Sequence, residues 1–368
     1  MRYLLLILAL LTGMVMTNAQ DAPLEEPDPL MVGVAGMTHG HVHWILRRAA
    51  DPDVEIVGVA EPNQELAERL LNLYGLSEDL WYPDLGSMLE ATQPEAMTAF
   101  GNIYDHLSVV QTCAPKGIHV MVEKPLAVSL DHAQQMAALA EEHNIHLLTN
   151  YETTWYGSNH ALYREMLIDF AHGDIRKMVV HDGHPGPIEI GCDPEFVDWL
   201  INPELNGAGA LTDFGCYGAN LITWLMKNQK PLSVTAITQT LKPEKYPNVD
   251  DDATILLQYP SAQGIIQASW NWPISRKDLH VYGTTGYIHT IDGINMVRCP
   301  KDGDPVESFQ ASPRPAPQDD PFAYFRAVLR SKAFPGGSLS SLENNLVVME
   351  ILEAAKQSAA EGRTISLE

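Results

Sequence analysis

The chain has 368 residues, 45% of them hydrophobic, which is enough for two domains with substantial cores. Its formal net charge is −24 and no basic patch interrupts it, which argues against nucleic acid and anionic membrane surfaces as partners. Cys113, Cys192, Cys216 and Cys299 lack the spacing of a metal site, and the sequence leaves open whether they are thiols or bridged.

Residues 1–19 read as a secretory signal peptide. Arg2 precedes an apolar run from Leu4 to Met16, and Thr17, Asn18 and Ala19 stand at the cleavage positions. The run is short for a membrane span. No cysteine follows it for lipidation, and no twin arginine precedes it. Export in the unfolded state to the periplasm is expected, with no membrane attachment after cleavage. Residues 20–29 are acidic and proline-rich and read as a linker.

Residues 30–150 alternate strand and helix patterns. An apolar strand over 30–35 ends at Gly36, and a helix is expected over 41–50. A second strand over 55–60 ends at Glu61. The helix over 64–74 has Leu66, Ala67, Leu70 and Leu71 at helical spacing, with Gly75 as its stop. A strand over 96–100, a helix over 107–116 and the run 118–126 follow. Ser129 is a good N-cap for a helix whose inner face is Ala133, Met136, Ala137 and Ala140, and 145–148 is a last strand. This alternation specifies a Rossmann-type, doubly wound parallel sheet in an α/β domain.

Within it, Gly36, Thr38 and His41 occupy the three glycine positions of G-x-G-x-x-G, so one glycine of three is kept. Helix-start amides can still hold a pyrophosphate, and Gly40 and His39 lie beside them. Glu61 ends the second strand, where an acid bonds a ribose 2′-hydroxyl and repels a 2′-phosphate, which favours NAD over NADP. His39 and His43 are four apart, as metal ligands on a helix can be, but no third ligand is identifiable, so structural or cofactor contacts are expected and no metal. In the run 118–126, Glu123, Lys124 and Pro125 close a buried strand at the edge where ligands bind in open α/β sheets. Partial burial is expected to lower the pKa of Lys124 and suit it to proton chemistry.

Residues 151–368 differ in kind. Strand patterns over 177–181, 233–241, 253–259, 264–270, 279–282 and 286–291, with short turns at 260–263 and 284–285, specify an α+β domain with a mostly antiparallel open sheet. A glycine-rich entry from Gly207 leads into a helix on which Asp213, Tyr217 and Asn220 share a face, as a pocket wall would. His181, Asp182 and His184 follow a strand. A substrate-pocket or loop role is preferred there over a metal, and His184 is taken as substrate-binding. The aromatics Tyr151, Trp155, Tyr156, Trp199, Trp270 and Trp272 suit a sugar face or a core. A terminal helix over 342–361 is expected to dock back on the first domain.

The Glu123-Lys124-Pro125 tripeptide, the segment 207–220 and the helix ending at Ser358 to Gly362 together resemble the glucose–fructose oxidoreductase, inositol dehydrogenase and rhizopine-catabolism family (Gfo/Idh/MocA), over about Leu30 to Glu368. The resemblance implies hydride transfer on a sugar or sugar derivative, with NAD as cofactor. It makes Lys124 catalytic. In the segment that usually reads D-x-G-x-H-x-x-D, Asp213 and Gly215 match, Tyr217 replaces the histidine and Asn220 the last aspartate. A tyrosine there is similar to the glucose–fructose oxidoreductase and dihydrodiol dehydrogenase branch, where tyrosine is the acid/base. Asn102 and His106 resemble the loop near the nicotinamide ribose. The family also implies a homo-oligomer, a dimer or tetramer.

The expected catalytic set is thus Lys124, Tyr217 and Asp213. Tyr217 takes the substrate proton, Lys124 supplies the charge that lets the phenol ionise, and Asp213 orients lysine or substrate. Cofactor contacts are expected from Gly36, Thr38, His39, Gly40, His41, Glu61, Asn102, His106, Glu123 and Lys124. Substrate contacts are expected from Tyr151, Trp155, His184, Asp213 and Tyr217. An exported enzyme has no obvious NAD pool. A redox-neutral NAD-dependent glycoside hydrolase and a non-catalytic sugar- or nucleotide-binding protein are therefore the alternatives.

Overall fold

The computed structural model describes residues 28–367. The signal peptide and most of the linker expected from the sequence lie outside them. The first sheet is built from β1 (Leu30–Ala35), α1 (Val42–Arg47), β2 (Val54–Ala60), α2 (Gln64–Leu73), β3 (Trp81–Tyr82), α3 (Leu85–Ala91), β4 (Ala96–Ala99), α4 (His106–Cys113), β5 (His119–Glu123), α5 (Leu130–Glu142) and β6 (Leu147–Asn150). All pairings are parallel, in the order β3-β2-β1-β4-β5-β6, so the order reverses between β1 and β4. A doubly wound sheet binds ligands outside the carboxyl ends of its strands at that reversal. The strands are apolar on both sides because helices cover both faces. Side-chain caps fix where the helices begin: Asn63 accepts from the Leu66 amide, Asp84 from Ser87, and Ser129 from His132.

The first helix is shorter than expected. It gives way at Arg48 to a 3₁₀ turn over 48–50, where the guanidinium is held by Asp51, Asp53 and Asp320. The short β3 and the α3 helix were not expected, since two and seven residues hold too little periodicity to read.

The second half contains α6 (Gly157–Leu167), β7 (Ile175–Gly183), α7 (Pro194–Leu200), α8 (Pro203–Asn206), α9 (Ala210–Asp213), α10 (Gly215–Leu225), β8 (Ser233–Gln239), β9 (Asp252–Gln258), β10 (Gln263–Ser269), β11 (Arg276–Gly283), β12 (Tyr287–Thr290), β13 (Asn295–Cys299), β14 (Glu307–Gln310), α11 (Pro321–Leu329), α12 (Leu342–Glu361) and β15 (Ile365–Ser366). Its nine strands run β14-β13-β12-β11-β7-β10-β9-β8-β15, antiparallel except for the parallel pair β7 and β10. Helix α10 is buried along its whole length, between this sheet and α12. Helix α12 also touches α5 and β6 of the first half, and Lys356 Nζ donates to the Val128 carbonyl. Asn220 belongs to this seam rather than to a pocket wall: its amide donates to the Leu339 carbonyl at 2.8 Å and to Asn345 Oδ1 at 3.2 Å.

Candidate active site

The loop after β1 carries the first part of the site. Gly36 has φ +78°, and a Cβ there would stand 2.6 Å from the Gly101 amide nitrogen, so the loops after β1 and β4 touch because Gly36 lacks a side chain. Glu61, 3% exposed, does not face a ribose site as the sequence suggested. Its oxygens accept from the amides of Met37 (2.7 Å) and Asn63 (2.9 Å), so it braces the loop from beneath. Burial raises its pKa. His39 is also buried. Its Nδ1 accepts from the His41 amide, which places the ring proton on Nε2. Its ring meets Phe196 edge-on at 5.1 Å and stacks on Trp199 at 5.8 Å, both from α7. Burial holds it well below the usual imidazole range. His43 leaves the cluster and bonds the Tyr74 hydroxyl at 2.8 Å.

The strand end of β5 carries the second part. Glu123 is buried between His41 Nδ1 (2.9 Å) and the Asn150 amide (2.6 Å). Burial opposes its ionisation, yet His41 and the Asn150 hydrogen bond outweigh that and hold its pKa down to about 2. Lys124, 6% exposed, points into the second half and bonds both the carboxylate and the backbone carbonyl of Asp213. The other Asp213 oxygen accepts from the Trp270 indole at 3.0 Å. Burial disfavours the ammonium, but Asp213 against it keeps the Lys124 pKa above the ordinary lysine value. This corrects the expectation that burial would lower it: a buried cation with a buried counter-ion stays charged. Asp213 is correspondingly lowered: Lys124 outweighs the effect of burial.

Tyr217 lies beside this pair, with Lys124 Nζ 5.1 Å and Lys277 Nζ 4.5 Å from its ring centre. The cations sit over the ring and not at the oxygen. The hydroxyl has no hydrogen-bond partner among the described residues. Burial, with Glu152 and Asp182 nearby, raises the phenol pKa well above its usual value. Lys124 therefore does not ionise Tyr217 in the way the sequence reading supposed. Lys277 and Glu152 are additions the sequence reading missed, and Asp182 comes from the His181, Asp182 and His184 group for which a pocket or loop role was expected. Lys277 is ion-paired to Glu152, and Asp182 is buried with Oδ1 unpartnered and its pKa raised by burial. Lys277 and Asp182 lie on strands, where alternation does not say which face meets a cleft, and Glu152 lies on a 3₁₀ turn over 152–155 with no periodicity to read.

His39, Gly40, His41, Lys124, His184, Asp213, Tyr217 and Lys277 line one cavity of about 320 Å³. A second, of about 270 Å³, lies on the other side of the β1 loop and is lined by Gly36, Pro62, Gly101, Asn102 and His106 among others. His106 Nδ1–H donates to the Leu126 carbonyl at 3.1 Å, which leaves Nε2 a buried acceptor without a partner. Asn102 is engaged with Asp105. Two expected substrate contacts are elsewhere. Tyr151 is fully buried, edge-on to Tyr217 at 5.4 Å, and Trp155 donates to Asn150 and packs on Tyr324. Each fills space behind the site because its ring is drawn into a core. His184 does line the larger cavity.

These residues fit a dinucleotide. The two cavities flank the β1 loop at the strand-order reversal, the amides of Thr38 and Gly40 find no partner among the described residues, and His106 Nε2 offers an unused acceptor to a hydroxyl. Gly36, Thr38 and Gly40 would hold its pyrophosphate, Asn102 and His106 would line the cavity beside Gly36, and His41, Glu123 and Lys124 would hold the end facing Tyr217.

Residues 29–151 match an oxidoreductase family model with an NAD-binding Rossmann fold, and residues 160–289 match the GFO/IDH/MocA C-terminal domain. The trans-1,2-dihydrobenzene-1,2-diol dehydrogenase of Sus scrofa is 27% identical over 269 residues, 70% of this chain and 72% of that protein. The Xenopus laevis protein of the same name is 28% identical over 242 residues, 64% of this chain and 67% of that one. Among solved structures, an aldose-aldose oxidoreductase from Caulobacter crescentus superposes with a TM-score of 0.78 at 20% identity, covering 92% of this chain and 100% of that one. An inositol dehydrogenase homolog from Azotobacter vinelandii, complexed with NAD+, gives 0.78 at 18% identity, covering 92% and 98%. At these identities the two structures show a shared fold.

Proposed function

Because the chain belongs to the Gfo/Idh/MocA family of oxidoreductases, with an NAD-binding Rossmann domain, we propose that its cleft interconverts an alcohol and a carbonyl on a small polyhydroxylated substrate, a sugar or sugar derivative, with Tyr217 as the proton-transferring group. The observation that carries this is the Tyr217 hydroxyl: it lines the larger cavity without a partner, beside a charged, buried Lys124–Asp213 pair, at the carboxyl edge of the first sheet. The diol, aldose and inositol named for relatives and structural neighbours support a substrate bearing adjacent hydroxyls.

Bound NAD supplies the hydride acceptor or donor. Tyr217, held neutral by burial and by Glu152 and Asp182, stands as the proton donor for carbonyl reduction. In the alcohol-oxidising direction the same oxygen must first lose its proton, so that direction gains from alkaline pH. Lys124 and Lys277 offset the negative charge that develops as the phenol gives up its proton. Asp213, fixed by Trp270, keeps Lys124 pointed into the cleft. His184 lines the same cavity and offers a ring nitrogen to a second hydroxyl. Secretion through the 1–19 segment is part of this proposal, as is self-association through the open sheet face, where Ile237 (68%), Leu256 (47%) and Tyr282 (41%) are exposed.

The test is to purify the mature protein, denature a portion and look for released dinucleotide, then supply NAD with a panel of sugars, inositols and glycosides. Reduced nicotinamide appearing with one sugar, or paired conversion of two, is the expected result. Free sugar released from a glycoside without net reduction would replace this reading with the redox-neutral hydrolase. Absence of both binding and turnover across the panel would overturn it.

A further inference from the structure

The open face of the second sheet carries a cluster that takes no part in the cleft. Along β11, Lys277 points into the cleft, so Asp278 and His280 alternate about it: Asp278 falls on the opposite face, and His280, two residues on, joins it there. In register, Asp278 lies opposite His181 of β7, and His280 opposite His289 of β12. Three adjacent strands thus bring three imidazoles to one carboxylate. Asp278 Oδ2 lies 3.0 Å from His181 Nδ1, 3.4 Å from His289 Nε2 and 3.6 Å from His280 Nε2. In a tetrahedral site with bonds of about 2.0–2.1 Å, neighbouring ligand atoms stand about 3.3–3.4 Å apart. The distances from Asp278 Oδ2 to His181 and His280 stand on either side of that value, and the three ligand atoms lie within 4.8 Å of one another. His289 Nε2 is buried and makes no hydrogen bond among the described residues, although it faces the carboxylate. A buried nitrogen left in this way calls for a partner.

We propose that His181, Asp278 and His280, whose ligand atoms lie within 4.8 Å of one another, form a site for a borderline divalent transition metal, zinc foremost, with His289 stacked on His280 at 3.5 Å and outside the ligand set. Two imidazoles and one carboxylate select zinc-like ions over magnesium or calcium, which want more oxygen donors. Three protein ligands leave the fourth tetrahedral position to a water, and the ion ties β7 to β11. Arg276 grips the same carboxylate, at 2.6 Å to Oδ1 and 2.9 Å to Oδ2, and its guanidinium also lies 5.7 Å from the Trp272 ring centre. With the ion bound, Arg276 keeps Oδ1, orients the carboxylate from outside and yields Oδ2. His181 was the one member of the sequence-level group His181, Asp182 and His184 with a metal role open to it. Asp182 and His184 turn to the cleft side, and the missing ligands come from β11, about 100 residues later in the chain.

The test uses mature protein without an affinity tag, stripped with a chelator and titrated separately with zinc and cobalt(II). The expected results are one tightly held zinc per chain by elemental mass spectrometry, a rise in Tm on adding zinc, and the strong visible absorption of tetrahedral cobalt. His181→Ala and His280→Ala each weaken zinc binding at least about tenfold while NAD binding is unchanged. If either variant fails to fold, Asp278→Asn is titrated in its place. Failure to retain zinc, a weak octahedral cobalt spectrum, or binding that survives all of these variants would overturn the site. So would binding abolished by His41→Ala instead, since His41 with His39 and Glu123 forms the other metal-compatible group.

Discussion

Tyr217 and His106 show how burial assigns proton roles at single residues. With the phenol held neutral and no side chain bonded to its oxygen, Tyr217→Phe removes the transferable proton and little packing. Turnover is expected to fall at least about 10³-fold, at the upper part of the range for a lost acid/base, with Tm within about 1–2 °C of the parent; steady-state kinetics beside calorimetry check both. Alcohol oxidation by the parent should keep rising with pH past the ordinary phenol value of about 10. His106 gives an acid-side prediction. Burial lowers its pKa from 6.5 to about 4, so the unfolded chain takes up its proton first as pH falls. The contribution to stability is complete above pH 6.5 and is lost progressively down to about 4, reaching about 3 kcal/mol at most. Urea unfolding from pH 7 to pH 4 should show a shallower decline in His106→Gln than in the parent. Lys124, Asp213 and Tyr217 were legible because each sits in a local signature: a strand stopped by proline, and small residues opening a helix. Lys277 and Glu152 were not, because their meeting depends on how the two sheets are set against each other.

At the scale of elements, periodic helices and apolar strands were read within one or two residues wherever caps and stops agree, as at Ser129 and Leu130–Glu142. The shorter pieces escaped. Helix α7 is one of them, and it supplies Phe196 and Trp199 against His39. The glycine-rich entry to α10 has a cause the sequence did not show: a Cβ at Gly209 would stand 1.8 Å from the Asp250 carbonyl oxygen, and Asp250 accepts from the Gly209 and Leu211 amides. The β1 loop gives the test at this scale. Gly36→Ala forces a left-handed φ on a residue with a side chain and drives that side chain into Gly101. It should cost about 1–3 kcal/mol and weaken NAD binding, measured by chemical denaturation and by fluorescence titration of the reduced cofactor.

At the scale of the molecule, the order of elements predicts a parallel sheet followed by an open antiparallel one, and that is the fold. The parallel pairing of β7 with β10 was not foreseen, since hairpin turns announce antiparallel neighbours only. The two halves are joined by Lys124 and Asp213, by Arg69 and Glu195 at 2.7 Å, and by α12. Lys124→Met strips the counter-ion from a buried aspartate and should cost about 3–5 kcal/mol. Replacing Asp213 by Leu as well should recover much of that stability and none of the turnover; a double-mutant cycle by calorimetry reads the coupling.

The Lys124–Asp213 contact also has a consequence for descent. Drift at either position alone strands a charge in a dry interior, so a lineage that abandons the chemistry has to pass through a poorly folded intermediate or exchange both residues in one step. In an alignment of this protein's kin the two columns, 89 positions apart, should change as a pair.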